Sequence, residues 1–593
     1  MNLVVPHTGE LQATDARLIR LAQFLGVSCE PLFLDKQVQR DAQYIEKVLP
    51  KQSSCFVVNP RLIKEWTGGA LPADLVSCLT THFPYLLVHS LTADPFCDDL
   101  IKALSAGRLH SVRPIADAGH LYEIATDCRQ VCGAFSGISF GPVNPANDCT
   151  LSVNTDNAAA RTPISIGDSP FMVVMKGDKT EILFLASADT LDVDYEMGNS
   201  PLSEYFSRFV PHAMALRYIF DKQCWQPGEH HASFTVDDPL LWPNYGFLNF
   251  ESLLHLMEEY NFCTTIAFIP HNYRRNARRI VQMFRENSRR LSICFHGNDH
   301  TAEELASADI SQLNTIIGIA EARMDIHRQA TGLHCNKVMV FPQEYFSVEV
   351  MKVLKSRNFC AAVCSTPHPA HHPVALTLGE LAQPAILRHG GFPLFLRKYV
   401  QETKRQDIAF NLFFGRPVLI VDHHDVFRRP EPLLEMVSMV NSVAPNIRWS
   451  DLETAVINSI LRRTTPDGSC HIRAYSGTVR IANDRPSLQR YSVEWNHCGQ
   501  CPSVEQVLQG GAPFHFFEVG DCGIQLSVEL TPGSSQEFSL VYRNDYSSLE
   551  GLGFRWNAKA YLRRRICELR DNYISKNHHA TALAEALRRR VFS

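Results

Sequence analysis

Short apolar runs alternate with amphipathic stretches through the first third of the chain. The run Leu3 to Val5 is followed by apolar residues at helical spacing from Ala16 to Leu25, and a later run occupies Cys55 to Val58. This alternation predicts parallel strands joined by helices, and two longer runs on either side of Gly177 predict a β-hairpin. We therefore expect an α/β layered domain over residues 1–225. No phosphate-binding loop specifies a role for it.

A tighter unit repeats over residues 226–462, in which a short apolar strand ends in polar residues and an amphipathic helix follows. Phe250, Leu253 and Met257 form one such helical face. Serial units of this kind predict a distorted (β/α) barrel, in which the side chains that follow the strands gather at one end. The strands that we predict are His231 to Val236, Thr264 to Ile269, Leu291 to Phe295, Val338 to Phe341, Cys360 to Val363 and Val418 to Val421.

The pattern changes after the barrel. Residues 463–548 show alternation with a period of two, as in Ile524 to Leu530, with turn residues between the runs and no helical spacing. This pattern predicts a small C-terminal β-sandwich. Residues 549–593 are predicted to form C-terminal helices, from Trp556 to Asn572 and from Ala580 to Arg590. We interpret the clustered arginines of these helices as a solvated face.

The composition excludes several classes of protein. With 593 residues, of which 45% are hydrophobic and 20% charged, the chain is long enough for several packed cores and is neither disordered nor fibrous. The formal net charge of -5 argues against a nucleic-acid binder. No apolar run reaches the roughly 18 residues that a membrane span needs, and no leader pattern opens the sequence, so we expect a cytoplasmic protein. The oligomeric state is left open.

Residues with chemical potential follow the first and third strands of the predicted barrel. Asp237 and Asp238 end the first strand, where neighbouring side chains point to opposite sides, so that one carboxylate is able to bind a metal ion while the other moves protons. His296 and His300 follow the third strand at i and i+4, a spacing that lets two imidazoles reach one cation. Asp238 and the two histidines leave coordination positions open, as catalytic metal sites do. The sequence therefore predicts metal-assisted hydrolysis.

A histidine pair follows the last predicted strand. His423 and His424 stand between Asp422 and Asp425. Either imidazole is able to protonate a leaving amine, with a neighbouring carboxylate fixing its tautomer. The spacing does not choose between the two histidines.

Taken in order, the motifs SFTVDDP (residues 233–239), HGNDH (296–300) and HHD (423–425) resemble those of the polysaccharide deacetylases of the NodB-like type, carbohydrate esterase family 4 and its relatives. The resemblance covers residues 230–460. It implies a NodB-like barrel that uses zinc or another divalent metal to remove an acyl group from an N-acylated carbohydrate. It also implies that Asp237 is the base, that Asp238, His296 and His300 hold the metal, and that His423 or His424 is the acid.

The chain departs from the motifs of this family that orient the base and bind the sugar. Val340 to Tyr345 contains no arginine at the place where the third motif of the family has one to orient the base, and Cys360 to Ser365 lacks the expected aspartate and tryptophan. Loop residues after the predicted strands are candidate substrate contacts, although a solvated loop is the alternative interpretation. These candidates are Tyr273, Arg274, Tyr345 and Arg388.

Two other functions fit the same residues. The missing arginine is compatible with a carbohydrate-binding or scaffolding protein that keeps the fold and the metal without turnover. A glycoside hydrolase on this fold needs two opposed carboxylates, and Asp237 with Asp299 or Asp425 supplies the candidates.

Overall fold

The computed structural model describes residues 1–35, 55–154, 160–198, 202–496, 504–519, 523–543 and 558–576. The chain divides into two compact units. The first comprises Met1–Gln226, Ala375–Ala382 and Arg462–Gly468, and the second comprises Pro227–Val374, Gln383–Leu461 and Ser469–Ser593. The finer predicted division into four segments stays a prediction. Within the described ranges, no helix combines the length and the apolar character that crossing a membrane requires.

The first unit is built on a mixed sheet with helices packed on it. Asn2–His7 pairs in parallel with Ser28–Phe33 and with Cys55–Val58, and its apolar residues are buried. The hairpin predicted around Gly177 is confirmed, because Ser169–Lys176 pairs antiparallel with Glu181–Leu185. The other strands of this sheet are Tyr85–Val88, Ala160–Ile166, Tyr122–Ile124 and Ser139–Phe140, and the main helices of the unit are Ala13–Phe24, Pro60–Thr67, Ala73–His82, Pro95–Leu104 and Phe206–Phe220.

The second unit contains the barrel, and every strand predicted for it is present. We label its strands β1 (His231–Asp237), β2 (Thr264–Phe268), β3 (Leu291–His296), β4 (Cys335–Val340), β5 (Ala361–Cys364), β6 (Leu394–Leu396), β7 (Lys398–Tyr399) and β8 (Val418–Asp422). Their order in the sheet is β6-β5-β4-β3-β2-β1-β8-β7, and all of these neighbours are parallel. β1 lies in the middle of the sheet and is buried on both faces, so Ser233 and Thr235 are as fully buried as the apolar residues that alternate with them.

The barrel nearly closes at a single residue. Strands β6 and β7 are the two edges of the sheet, yet Arg397 alone separates them in sequence. The Arg397 backbone N–H donates to the Cys364 carbonyl at 3.0 Å, so the chain leaves one edge and joins the other within one step. The larger helices around the sheet are Phe250–Tyr260, Arg278–Glu286, Ile310–Thr331, Val348–Ser356, Arg405–Phe413 and Glu431–Val443.

The predicted β-sandwich is present in the second unit. Two sheets enclose one apolar core, in which Val493, Trp495 and Phe538 are fully buried. The strands that supply this core include Cys470–Ala474, Thr478–Ala482, Gln489–Asn496, Val504–Gln509, Gly523–Leu530 and Ser535–Tyr542. A helix follows at Ala558–Leu569 and continues in a wider turn at Arg570–Ile574. The second predicted C-terminal helix, Ala580 to Arg590, lies outside the described residues.

Candidate metal centre

Three predicted ligands meet at the carboxyl ends of β1 and β3. The Nε2 atoms of His296 and His300 lie 3.5 Å and 3.2 Å from Oδ1 of Asp238. One ligand atom from each residue falls within 4.8 Å of the others. Asp238 and His300 both have positive φ angles, 81° and 55°, which non-glycine residues adopt rarely and mostly where the surroundings enforce them. The fold therefore holds these three side chains in one place at a cost in backbone strain.

Hydrogen bonds behind the ligands fix their orientation. Nδ1 of His296 lies 3.1 Å from the Val340 carbonyl oxygen, so Nδ1 donates its proton there and Nε2 is the ring atom that faces Asp238. The buried carboxylate of Glu304 accepts the backbone N–H groups of Asn298, Asp299 and His300 at 2.8, 3.0 and 3.0 Å. Glu304 thus folds the chain between the two histidines into a tight loop.

The charge state of these groups suits a cation. Burial alone raises the pKa of Asp238, but the nearby His300 and His296 more than offset it and hold that pKa well below its usual range. Burial lowers the pKa of His300 to about 4, so this imidazole is neutral at pH 7. Oδ1 of Asp238 is buried and makes no hydrogen bond to any residue that the structure describes. One carboxylate and two imidazoles, with that orphaned oxygen between them, fit a divalent cation such as zinc.

Asp237 is held by an arginine that sequence reasoning did not identify. The Arg397 guanidinium donates two parallel hydrogen bonds to the Asp237 carboxylate, at 2.8 Å from Nη1 and 2.6 Å from Nη2. Both side chains are almost fully buried. Burial raises the pKa of Asp237, whereas the charges of Arg397 and His296 lower it further than burial raises it, and the pKa is below its ordinary value. Arg397 thus contacts and orients the Asp237 carboxylate, for which Val340 to Tyr345 offers no arginine.

The two candidate acids point into different surroundings. His423 borders the same cavity as Asp237 and stacks on Tyr399, with ring centroids 6.2 Å apart. His424 is buried elsewhere, against Tyr245, with Nε2 3.6 Å from a carboxylate oxygen of Asp571. The structure therefore brings His423, and not His424, to the predicted ligands.

The cavity around this centre measures about 440 Å³. None of the four predicted substrate contacts borders it. Tyr345 and Arg388 are exposed, and the Arg274 guanidinium lies over the Tyr273 ring. Besides the residues already named, the cavity is lined by Gln343, Glu344, Arg563, Arg564, Cys567 and Arg570.

These additional residues carried little signal in the sequence. Gln343 and Glu344 follow β4 and have positive φ values of 55° and 66°, a strained pair of the kind that clusters at functional sites. The arginines of the C-terminal helix were interpreted as solvated, which is wrong for Arg564, because that residue is only 2% exposed. The sequence also gives no sign that residue 564 contacts the barrel, because the last strand of the barrel lies about 140 residues earlier in the chain.

Neither Asp299 nor Asp425, the two partners proposed for Asp237 in a glycoside hydrolase, reaches the cavity. Asp299 turns away from the ligands and accepts hydrogen bonds from Arg323 at 2.6 Å and from His271 at 3.0 Å. Asp425 is exposed and contacts His424. Within the described residues, the carboxylates that border the cavity are Asp237, Asp238 and Glu344.

Comparison with known proteins gives matches at the level of structure. No protein-family model and no curated protein matches the chain. The carbohydrate deacetylase Agd3 matches 91% of this chain and 98% of its own, with 10% identity and a TM-score of 0.46. A family 4 carbohydrate esterase from Streptomyces lividans, in complex with acetate, matches 38% of this chain and 93% of its own, with 11% identity and a TM-score of 0.24.

A family 4 acetyl xylan esterase from Clostridium thermocellum, in complex with a cobalt ion, matches 38% of this chain and 89% of its own. Its identity is 15% and its TM-score 0.23. These matches lie within the class of carbohydrate esterases and deacetylases that the sequence resembles, and most of them cover the central part of the chain.

Proposed function

We propose that this chain is a metal-dependent hydrolase that removes an acyl group from an N-acylated carbohydrate. One observation carries the proposal. Asp238, His296 and His300 converge around an unpartnered carboxylate oxygen, beside a second carboxylate, Asp237, that Arg397 keeps charged. This pairing of a ligand set with a separate proton acceptor suits hydrolysis better than structural metal binding, which closes the coordination sphere.

Asp238, His296 and His300 would hold zinc or another divalent metal. When bound, such a cation supplies Lewis-acid chemistry, in which it polarises the acyl carbonyl and makes water more acidic. Asp237 then receives the water proton, because its carboxylate is ionised at neutral pH and faces the same cavity. Arg397 orients that carboxylate through its two hydrogen bonds.

His423 is the residue that we assign as the acid. His423 borders the cavity. An acid is needed there because an amine departs readily only when its nitrogen is protonated. The balance of the reaction is simple: the acyl C–N bond breaks, a C–O bond to water forms, and the products are a carboxylate and an amino sugar.

Turnover on acylated sugars tests the proposal. Zinc-loaded full-length protein, incubated with N-acetylglucosamine and its oligomers, should release acetate and free amine in equal amounts. Asp237→Asn should keep stoichiometric zinc and lose about 10² to 10⁴ in rate, the usual contribution of a general base. Asp425→Asn, a change to an exposed carboxylate outside the cavity, is the matched control and should retain turnover.

The outcomes separate an enzyme from a binding protein. Unchanged turnover in Asp237→Asn would show that this carboxylate is not the base. Zinc binding without acetate release from any acylated sugar would favour the carbohydrate-binding or scaffolding alternative.

A further inference from the structure

The C-terminal helix forms a wall of the candidate site. Its residue Glu568 accepts a hydrogen bond from Nη2 of Arg275 at 2.8 Å, and a second from Nη1 of the same arginine. In the turn that follows, Asn572 accepts the backbone N–H of Gly246 at 2.9 Å, and Asp571 accepts the hydroxyl of Tyr245 at 3.0 Å. Helix and turn are therefore anchored on loops of the barrel through partly buried polar groups.

Arg564 reaches from this helix to the metal ligands. Its side chain is 3% exposed, and Nη1 lies 3.9 Å from Oδ1 of Asp238, which is beyond hydrogen-bond distance. Nε and Nη2 of Arg564 are buried and have no hydrogen-bond partner in the described parts of the chain. A buried charge with unpaired donors is costly, and natural proteins keep one mainly where a ligand or a partner completes it.

The other charged groups that border the cavity do not pair with the Arg564 guanidinium. Asp237 is paired by Arg397, and Asp238 belongs to the metal ligands. Glu344 also borders the cavity, but its Oε1 atom is buried and has no hydrogen-bond partner among the described residues, so it does not pair with Arg564. Two further arginines, Arg563 and Arg570, border the same cavity, and Arg570 is paired with Asp571 at 2.6 Å.

We infer that the substrate carries an anionic group, a carboxylate or a phosphate, which the guanidinium of Arg564 binds. This inference rests on the proposed function and narrows its substrate class to acidic N-acylated sugars. Guanidinium groups match both anions, because their planar N–H donors meet two oxygens at once. A cavity of about 440 Å³ has the volume of an ordinary small-ligand site, so a short acidic saccharide suits it.

Binding of sugars without an acyl group tests the site independently of turnover. Glucose, glucuronate and glucose 6-phosphate differ only in the group at one carbon, and none of them contains an amide to hydrolyse. Zinc-loaded full-length protein, titrated calorimetrically with each, should bind at least one of the two anions about tenfold or more tightly than glucose. The carboxylate and phosphate arms show which anion the site takes.

Variants locate the preference on Arg564. Arg564→Gln should bind all three sugars alike, whereas Arg564→Lys should keep part of the preference. Arg565→Gln is the matched control, because Arg565 lies on the same helix but outside the cavity and is largely exposed. Thermal unfolding and zinc content of each variant report whether it is folded.

Three results would overturn the inference. The first is a parent protein that binds glucose as tightly as it binds glucuronate and glucose 6-phosphate. An anion preference that persists in Arg564→Gln would place the site elsewhere. A loss of turnover on neutral N-acetylglucosamine in Arg564→Gln, with anion affinity unchanged, would assign Arg564 to the reacting atoms. Anion preference without turnover on any acylated sugar would contradict the proposed function and leave the anion site standing.

Discussion

At the scale of single residues, the contact with Arg397 sets the protonation of Asp237, the proposed base. The two side chains are buried together, so burial and the neighbouring positive charge act on the carboxylate in opposite directions. The positive charge has the larger effect, so the pKa of Asp237 is below its ordinary value. The Asp237 carboxylate is thus ionised, and able to accept a proton, down to acidic pH.

Removal of the guanidinium should move the acidic limb of the pH profile. In Arg397→Gln, burial is no longer opposed by that charge, so the pKa of Asp237 rises. The fall of kcat/KM at low pH should then begin about 1 to 3 pH units higher, the effect typical of an opposite charge in contact. The control is Arg388→Gln, which changes an exposed arginine outside the cavity. An acidic limb that stays in place in Arg397→Gln would contradict this role.

The two adjacent histidines should separate in function. His423→Ala should lower kcat by about 10² or more, because it removes the donor that faces the cavity, while zinc content stays unchanged. His424→Ala should mainly lower the thermal unfolding midpoint, because His424 packs in the core against Tyr245. Equal losses of kcat in two folded variants would contradict the assignment.

The sequence predicted the three candidate ligands that the structure brings together, but it could not supply their neighbours. Asp238, His296 and His300 were recognisable because strand ends of a barrel converge, whatever their separation along the chain. Arg397 was not, because it lies in a one-residue link between two very short strands whose place at the sheet edges no local pattern records. Choosing between His423 and His424 needed the direction of each side chain after β8.

At the scale of elements, the loop between the two histidines determines whether the ligands meet. Gly297 has a φ of 60°, and a Cβ built on it would lie 2.1 Å from a carboxylate oxygen of Glu304 and 2.5 Å from Cγ of Pro342. No side chain fits between these groups without displacing the loop. The loop conformation therefore depends on this glycine.

Gly297→Ala should accordingly weaken metal binding, because the added methyl group displaces the loop that carries the two histidines. We expect zinc affinity, measured by competition with a chelator, to fall about 10-fold or more, as when the surroundings of metal ligands are disturbed. Gly332→Ala is the control: the φ of Gly332 is 73°, but a Cβ built on it would lie 3.8 Å from Nε of Arg285, which is ordinary contact distance. Gly332→Ala should lose about 1 to 2 kcal/mol of stability and retain its zinc. Zinc affinity in Gly297→Ala equal to that of the parent protein would contradict the claim that the ligand loop depends on this glycine.

Elements rich in apolar residues could be predicted from the sequence. The C-terminal helix shows what could not be predicted, namely which of its charged side chains are buried. The buried strands β5 and β8 appear in the sequence as continuous apolar segments, whereas β1 to β4 mix apolar with polar residues but are still rich in apolar ones. The helix at Ala558–Leu569 was predicted as a helix, yet its buried arginine has the same local pattern as a solvated one. Burial of a charge is decided by tertiary contacts, which periodicity does not contain.

At the scale of the whole molecule, buried ionisable groups should make stability depend on acidity. Burial holds the pKa of His300 and of His327 at about 4, below the ordinary value for histidine. Stability from such groups is complete above the unfolded pKa and is lost as the pH falls toward the folded one. Carboxylates with lowered pKa act in the same direction at lower pH, and they include Asp237, Asp299, Glu453, Glu568 and Asp571.

The urea midpoint of the metal-free protein should therefore decline as the pH falls below about 6.5 and fall more steeply below about pH 4. Groups with a raised pKa act in the opposite direction but are outnumbered. Burial raises the pKa of Asp148, Glu304 and Asp422, and neighbouring carboxylates raise the pKa of His296 and His334. Tryptophan fluorescence in urea at a series of pH values measures the midpoint. A midpoint that rises on acidification would contradict the account.

The metal content of the purified protein tests the central claim most directly. Full-length protein exposed to zinc and dialysed should retain about one ion per chain by elemental analysis, and His300→Ala and Asp238→Ala should retain far less. His372→Ala, which changes an exposed histidine, should match the parent. A parent protein that retains no divalent metal, or ligand variants that retain as much as the parent, would contradict a metal centre at Asp238, His296 and His300.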